Sequence, residues 1–154
     1  MKVENCTLGD YFSIVEDIVE FWGSNRTLKY HHPIYIHEFG QTAFVIRDEG
    51  KPIAYLFGFI SDQSAGYVHL VGIRESYQKK GLGSLLYQHF IAYLKAKGYH
   101  KLKAITTPQN EKSIAFHHHK MGMEMIGELG KYTVPVVTGY AGKGEDRVVF
   151  IKDI

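Results

Sequence analysis

Apolar residues recur along this chain first with a helical period and then with the alternation that is typical of strands. Helical spacing extends over residues 11–22 and again over residues 82–94, and Gly23 and Gly98 end the two segments. Asp10 is the predicted N-cap of the first helix. Runs rich in β-branched and aromatic residues predict three strands between the helices, at residues 41–47, 52–60 and 67–73.

The second half of the chain alternates strands with a helix. We predict strands at residues 101–107, 124–129 and 147–151, a helix at 110–121 and a long excursion at 130–146, which holds four glycines and a proline. Asp48-Glu49-Gly50-Lys51 has hairpin-turn composition, so its flanking strands are expected to be antiparallel. A strand, helix and strand in succession favour a parallel crossover.

These elements predict one α/β (α+β) domain over residues 1–154. Its mixed sheet would combine antiparallel N-terminal strands with a parallel pair, formed by the strands at 67–73 and 101–107, and helices would flank it. A chain of 154 residues that is 45% hydrophobic can bury the core of such a domain.

Cysteine usage and hydropathy indicate the compartment. The single Cys6 excludes an internal disulfide and fits a packed thiol in a reducing environment. The first residues lack the apolar core of a signal peptide, and no run approaches the roughly 20 apolar residues that cross a bilayer. We therefore expect a cytoplasmic protein with no membrane role.

Charge is unevenly distributed along the chain. Residues 1–60 carry eight acidic side chains and five Lys or Arg, whereas residues 61–154 carry eight acidic side chains and thirteen Lys or Arg. The net positive charge of residues 61–154 could attract an anionic ligand. Alternatively, these basic side chains simply lie on a solvated surface. They are scattered without interleaved aromatics, which argues against nucleic acid as a partner.

One motif has the composition of an anion site. Between the third strand and the second helix stands Gln78-Lys79-Lys80-Gly81-Leu82-Gly83, followed by Ser84. Glycines let the backbone approach a ligand, and the first N–H groups of a helix have no partner within the helix. Such a helix start binds phosphate, and lysines and a hydroxyl add donors. Glycines also serve tight turns and close packing, so that alternative stays open.

Two ordered motifs resemble the GCN5-related N-acetyltransferase (GNAT) family. The first is the strand followed by Gln/Arg-x-x-Gly-x-Gly/Ala and a helix, which is complete here at residues 78–83. The second is a segment with Asn, then Ser or Ala, then Tyr, then Gly-Phe, matched by residues 110–117 and by Met121-Gly122-Met123. The two motifs span residues 67–128.

The resemblance implies acetyl-CoA as the cofactor and a primary amine of a small molecule or a protein as its partner substrate. It implies that the pyrophosphate binds the amides of Lys79, Lys80, Gly81, Leu82, Gly83 and Ser84, after Gln78. The pantetheine arm would pair like a strand with the backbone of Val71, Gly72 and Ile73. Asn110 would hold the arm from the other wall, and Ser113 shares its helix face.

Acetyl transfer to an amine needs a base, and His69 is the candidate. Many family members carry Glu four residues before the last apolar position of the strand, and counting back from Ile73 reaches His69. An imidazole can accept the amine proton directly or through water. A histidine bonded within the core is the alternative. A backbone N–H of Val71 or Gly72 would stabilise the negative charge that develops on the thioester carbonyl oxygen during transfer.

The candidate acid for the departing thiolate is His117. It stands seven residues after Asn110, where the family has Tyr. Four residues instead of three separate it from Gly122, so counting back from that glycine selects His118; a π-bulge could absorb the extra residue. Water is the third candidate for the group that protonates the thiolate. We expect no metal at the adjacent histidines 117–119, since neighbouring helical residues point in different directions.

The acceptor site is expected at residues 21–37 and 130–146. Glu16, Asp17, Glu20 and Glu38 would suit a cationic amine, although exposed helix faces carry the same residues. The sequence leaves monomer and homodimer both open. A non-catalytic acyl-CoA-binding module on the same fold is the alternative to an enzyme.

Overall fold

The computed structural model describes residues 1–154, and its strands form one seven-stranded mixed sheet. The strand order is β1-β2-β3-β4-β5-β7-β6. The strands are β1 (Val3–Asn5), β2 (Ala43–Asp48), β3 (Lys51–Ile60), β4 (Gly66–Ile73), β5 (Lys101–Thr106), β6 (Glu124–Ile126) and β7 (Val148–Asp153). The predicted α/β class and its parallel pair, β4 with β5, are confirmed.

Helices and short turns connect the strands. The helices are α1 (Leu8–Glu16), α2 (Ile18–Trp22), α3 (Ile34–His37), α4 (Leu82–Ala96) and α5 (Glu111–Ala115). Turns of 3-10 helix occupy Leu28–Tyr30, Gly40–Thr42 and Glu75–Tyr77, and a π-helical turn occupies Phe116–Lys120.

The predicted first helix is two helices with a different start. Thr7 caps α1: its hydroxyl accepts the Asp10 amide at 3.1 Å, and the Asp10 carboxylate accepts the Thr7 amide at 2.9 Å. The prediction of Asp10 as the N-cap is therefore wrong, because Asp10 is the third residue of a capping box. Asp17 separates α1 from α2, and Gly23 ends α2 with φ of 74°.

Contacts divide the chain into two compact units. The first comprises Met1–Phe59 and His69–Tyr93, and the second comprises Ile60–Val68 and Leu94–Ile154. In the first unit, β1, β2 and β3 pair antiparallel, and Glu49 and Gly50 form the predicted hairpin turn with φ of 49° and 78°.

The core of the first unit is rich in aromatic residues. Its buried members are Cys6, Tyr11, Ile14, Phe21, Ala43, Val45, Tyr55, Phe57 and Leu70. Burial raises the pKa of the Cys6 thiol to about 12, so this cysteine is a packed residue and a poor nucleophile.

In the second unit, β7 pairs antiparallel with both β5 and β6. The parallel ladder of β4 with β5 has three pairs, from Gly66 with Leu102 to Val68 with Ala104. Residues 130–146 form the predicted excursion, in which Asp146 accepts the Tyr132 hydroxyl at 2.7 Å and the Gly139 amide at 2.9 Å.

Candidate active site

Strand β4 presents two chemically different faces. Val68, Leu70 and Gly72 are buried, whereas His69 and its alternate neighbours on the other face are half-buried. This alternation places His69 on the same face as Val71 and Ile73, as the sequence predicts.

Gly72 allows a close approach by Tyr55. A Cβ at Gly72 would lie 2.5 Å from Cε1 of the Tyr55 ring and 2.8 Å from its hydroxyl oxygen. No real Cβ tolerates such distances to a rigid ring that is fully buried. Glycine at this position therefore lets β4 lie directly against Tyr55.

The loop before α4 has the backbone of an anion-binding nest. Lys79 has φ of 62° and Gly81 has φ of 82°, while Lys80 between them keeps the ordinary sign. Alternating signs of φ turn successive N–H groups toward one point. The Gln78 side-chain amide donates to the Ile73 carbonyl at 3.1 Å and ties this loop to the end of β4.

Helix α4 begins directly at this nest. The Leu85 amide donates to the Gly81 carbonyl at 3.1 Å, so the amides of Leu82, Gly83 and Ser84 precede the first bond within the helix. A Cβ at Gly81 would meet no atom within 4 Å. Gly81 therefore serves backbone conformation and access, and close packing does not explain it.

A groove of about 480 Å³ lies at this helix start. Its lining residues are Met1, Tyr77, Lys80, Gly81, Leu82, Ser84, Leu85 and Gln88. The Ser84 hydroxyl oxygen is buried and has no hydrogen-bond partner within the protein. A buried hydroxyl without a partner costs free energy, and a ligand with acceptor oxygens would satisfy it. Together with the nest and the Lys80 charge, it fits a phosphate-bearing ligand.

The imidazole of His69 lies among aromatic side chains. Its ring centroid is 5.4 Å from those of Tyr35 and Phe59. The Tyr35 hydroxyl donates to the Tyr30 carbonyl at 2.8 Å, and its oxygen lies 3.1 Å from Nε2 of His69. The Tyr30 carbonyl, which can only accept, also takes a hydrogen bond from the His69 ring.

Burial lowers the pKa of His69 below its ordinary value of 6.5, against a smaller opposing effect of the Tyr30 carbonyl. Desolvation disfavours the charged imidazolium. His69 is therefore neutral at physiological pH, which is the form that a base requires.

A second buried histidine joins a chain of hydrogen bonds at Tyr55. His31 donates from Nδ1 to the Thr27 carbonyl at 2.9 Å, and its Nε2 accepts the Tyr55 hydroxyl at 2.7 Å. The same hydroxyl oxygen accepts Trp22 Nε1–H at 2.8 Å. The sequence does not predict Tyr55 at the site, and it predicts Tyr35 only within the acceptor segment 21–37, because tertiary contacts alone bring these two residues to β4.

Two of the four acidic side chains expected to suit a cationic amine have partners within the protein. Arg74 is buried and binds Asp17 at 3.1 Å and Glu20 through its other terminal nitrogen, while Lys51 lies 3.5 Å from Asp17. Asp17 and Glu20 are thus largely neutralised by their own chain.

In the second unit, Asn110 is the N-cap of α5. Its Oδ1 accepts the Ser113 amide at 3.1 Å, which leaves its Nδ2 to donate elsewhere. The sequence predicts that Asn110, Ser113 and His117 share one helix face. In the structure the Ser113 hydroxyl lies 3.2 Å from His117 Nδ1, so these two side chains are in contact.

His117 is packed as a core residue. It is 3% exposed, and its ring stacks on Phe150 with centroids 4.6 Å apart. Nδ1 lies 2.7 Å from the Ser113 carbonyl, which can only accept, so the neutral ring holds its proton there. Burial lowers the pKa of His117 to about 4.

The extra residue before Gly122 is absorbed by the π-helical turn Phe116–Lys120. The Met121 amide donates to the Phe116 carbonyl at 2.9 Å, five residues back. His118 is exposed and its Nδ1 donates to the Met123 carbonyl at 2.9 Å. The π turn that the spacing left open as a possibility is therefore present.

No helix of the protein combines the length and apolarity needed to cross a membrane. No group of three or more His, Cys, Asp or Glu side chains could hold a metal ion.

Comparison with known proteins identifies a family profile. The profile of the acetyltransferase (GNAT) family matches residues 11–123, which is most of the chain and includes β4, the nest and α5. No curated protein sequence gives a match.

Solved structures share the fold. Ard1 from Thermoplasma volcanium has a TM-score of 0.78 at 13% identity, covering 99% of this chain and 97% of that chain. Naa20 from Chaetomium thermophilum, solved with a bisubstrate analogue, has a TM-score of 0.75 at 18% identity, covering 100% and 87%. The ribosomal-protein-alanine N-acetyltransferase from Brucella melitensis has a TM-score of 0.70 at 17% identity, covering all of both chains. At such identities the likeness concerns the fold.

Proposed function

Because the chain belongs to the acetyltransferase (GNAT) family, we propose that it transfers an acetyl group from acetyl-CoA to a primary amine of a small molecule or a protein. Residues 1–154 would form one acetyltransferase domain. The names of the solved neighbours, which include N-acetyltransferases, support nitrogen as the accepting atom.

The observation that carries this proposal is the nest and helix start after β4. The sign of φ alternates at Lys79, Lys80 and Gly81, and one groove is lined by Lys80, Gly81 and Ser84, whose hydroxyl has no partner within the protein. These features match the needs of a pyrophosphate. Gln78 acts on the loop by its bond to the Ile73 carbonyl. It is a positioning residue in this proposal.

The backbone of Val71, Gly72 and Ile73 would hold the pantetheine arm. The support is that β4 continues to Ile73 beyond Val68, the last of its residues paired with β5. Asn110 would donate a hydrogen bond from Nδ2 to the arm. The backbone amide of Ser113 donates to Asn110 Oδ1 and would thereby orient the Asn110 side chain.

When bound, acetyl-CoA supplies an acetyl group whose bond to sulfur breaks as the bond to the amine nitrogen forms, by direct attack in a ternary complex. His69 would accept the proton that the amine loses. Its contact at Nε2 with the Tyr35 hydroxyl orients the ring. The N–H of Val71 or Gly72 would stabilise the negative charge on the carbonyl oxygen, because a fixed backbone dipole needs no reorganisation.

The proton for the thiolate would come from water. A donor at Nε2 of His117 would have to be imidazolium, since the neutral ring holds its proton on Nδ1 toward Ser113. Burial lowers the pKa of His117 to about 4, so imidazolium is rare at neutral pH. This favours water over His117; His118 is the other alternative.

The experiment follows free thiol after mixing the protein with acetyl-CoA and a panel of primary amines. We expect amine-dependent thiol release by the wild type and its loss in His69→Ala. Micromolar binding of acetyl-CoA without amine-dependent release would instead support the alternative, a non-catalytic acyl-CoA-binding module in which His69 and His117 are both structural. The core packing of His117 meets one of these two conditions. Absence of both binding and release would refute the acetyl-CoA assignment.

A further inference from the structure

A patch of exposed apolar side chains lies in the segment before β2. Leu28, Tyr30, Ile34 and Phe39 are between 36% and 44% exposed, although they stand within twelve residues of one another. Exposed apolar groups clustered in this way mark a binding surface more often than scattered ones do.

Aromatic contacts connect this patch to His69. The Phe39 ring is 4.9 Å from that of Phe59, and the Phe59 ring is 5.1 Å from Tyr35. Phe59 and Tyr35 both lie 5.4 Å from the imidazole of His69. A continuous group of rings, which we call the ring cluster, thus extends from exposed Phe39 to the candidate base.

Two basic side chains stand in or beside the chain segment that carries the patch. Lys29 Nζ lies 5.2 Å from the centre of the Tyr30 ring, and Arg26 lies over Trp22 at 6.0 Å. Glu38 is the one acidic residue between positions 21 and 47. Asp17 and Glu20, which precede this segment, already pair with Arg74. With Arg26 and Lys29 the segment has a net positive charge, so it offers a ligand with several positive charges little attraction.

From the ring cluster and its charges we propose that the acceptor carries an apolar group beside its reactive amine and no second positive charge. This proposal rests on the proposed acetyl transfer. The apolar group would cover Phe39 and Phe59 while the amine reaches His69. A monoamine that arrives near these rings also loses its proton more readily than it would in water, because an apolar surface disfavours its charge.

The test compares three amines by the kcat/KM of acetyl-CoA-dependent thiol release: 2-phenylethylamine, butylamine and 1,4-diaminobutane. Burial of a phenyl ring against the cluster should make 2-phenylethylamine about tenfold better than butylamine. The second charge should make 1,4-diaminobutane the poorest of the three.

Two variants locate the selectivity. Phe39→Ala should reduce kcat/KM for 2-phenylethylamine about tenfold, chiefly through KM, and change that for butylamine much less. Phe12→Ala is the matched control, because Phe12 is a 56% exposed aromatic residue on α1 outside the ring cluster, and its removal should change neither value. Lys29→Glu should improve 1,4-diaminobutane selectively.

The outcomes separate this proposal from the one it rests on. Without thiol release from any amine and without acetyl-CoA binding, the acetyl-transfer proposal fails. If amines are acetylated but 1,4-diaminobutane equals or exceeds 2-phenylethylamine, or Phe39→Ala leaves the ratio of the two monoamines unchanged, only the assignment of the acceptor is overturned.

Discussion

Replacement of His117 by phenylalanine should remove a specific part of the acid sensitivity of this protein. His117 is 3% exposed and stacks on Phe150, and burial lowers the pKa of its imidazole from 6.5 to about 4. The unfolded chain, with the ordinary value, therefore binds more protons than the folded chain between these two pH values. Folded stability should be lost as pH falls through this window and be fully present above it.

The size of the effect follows from the two pKa values. The interval from 6.5 to about 4 corresponds to about 3 kcal/mol of unfolding free energy once both states are protonated. At pH 4.5 the penalty should already be about 2.5 kcal/mol relative to pH 7.5. Phenylalanine keeps a flat apolar ring on Phe150 but has no group that titrates.

Urea unfolding at pH 7.5 and pH 4.5, followed by circular dichroism, measures this difference. The pH-dependent loss should be smaller in His117→Phe than in the wild type by about 2–3 kcal/mol. His118→Phe is the matched control, since His118 is the exposed neighbour on the same turn, and it should keep the wild-type loss. Equal losses in the wild type and His117→Phe, or an NMR titration of His117 near pH 6.5, would refute the reasoning.

Three further substitutions test other contacts. Gly72→Ala should cost about 1–3 kcal/mol in urea unfolding, because its Cβ would overlap the Tyr55 ring; unchanged stability would contradict that packing. The kcat/KM of the wild type should fall as pH decreases through a value below 6.5, because protonated His69 cannot act as a base, and His69→Gln should lack this limb. A wild-type limb that persists in the variant would exclude His69. Thr7→Ala should lower unfolding free energy by about 1 kcal/mol through loss of the cap on α1, and a neutral result would dismiss the capping box.

Local patterns account for what the sequence predicted correctly. Alternation in β4 places His69 beside Val71 and Ile73, and Glu49-Gly50 turns the hairpin, because both effects depend on neighbouring residues alone. The nest at residues 78–81 is equally local. The three-residue strand β1 was not predicted, since Val3–Asn5 is too short to show a period and exists by pairing with β2.

Long-range contacts account for what the sequence could not predict. Ile14 and Ile18 both face the core, so the helical period of apolar residues continues through Asp17. The sequence therefore predicts a single helix, whereas the structure has two helices, α1 and α2, on either side of Asp17. Tyr35 reaches His69 from 34 positions away, and His117 is buried by Phe150 from β7. No spacing rule places such partners, and they decide the protonation state of each histidine.

The central claim is that the helix start at Gly81 holds the pyrophosphate of coenzyme A. Calorimetric titration with coenzyme A tests it in the wild type, Gly81→Glu and Gly98→Glu. The two glycines lie at opposite ends of α4 with nearly equal φ, 82° and 83°, and a Cβ at either would meet no atom within 4 Å. Both variants therefore carry the same backbone strain and the same added charge. The wild type and Gly98→Glu should bind coenzyme A while Gly81→Glu does not; binding that survives in Gly81→Glu, or is lost equally in both variants, would contradict the claim.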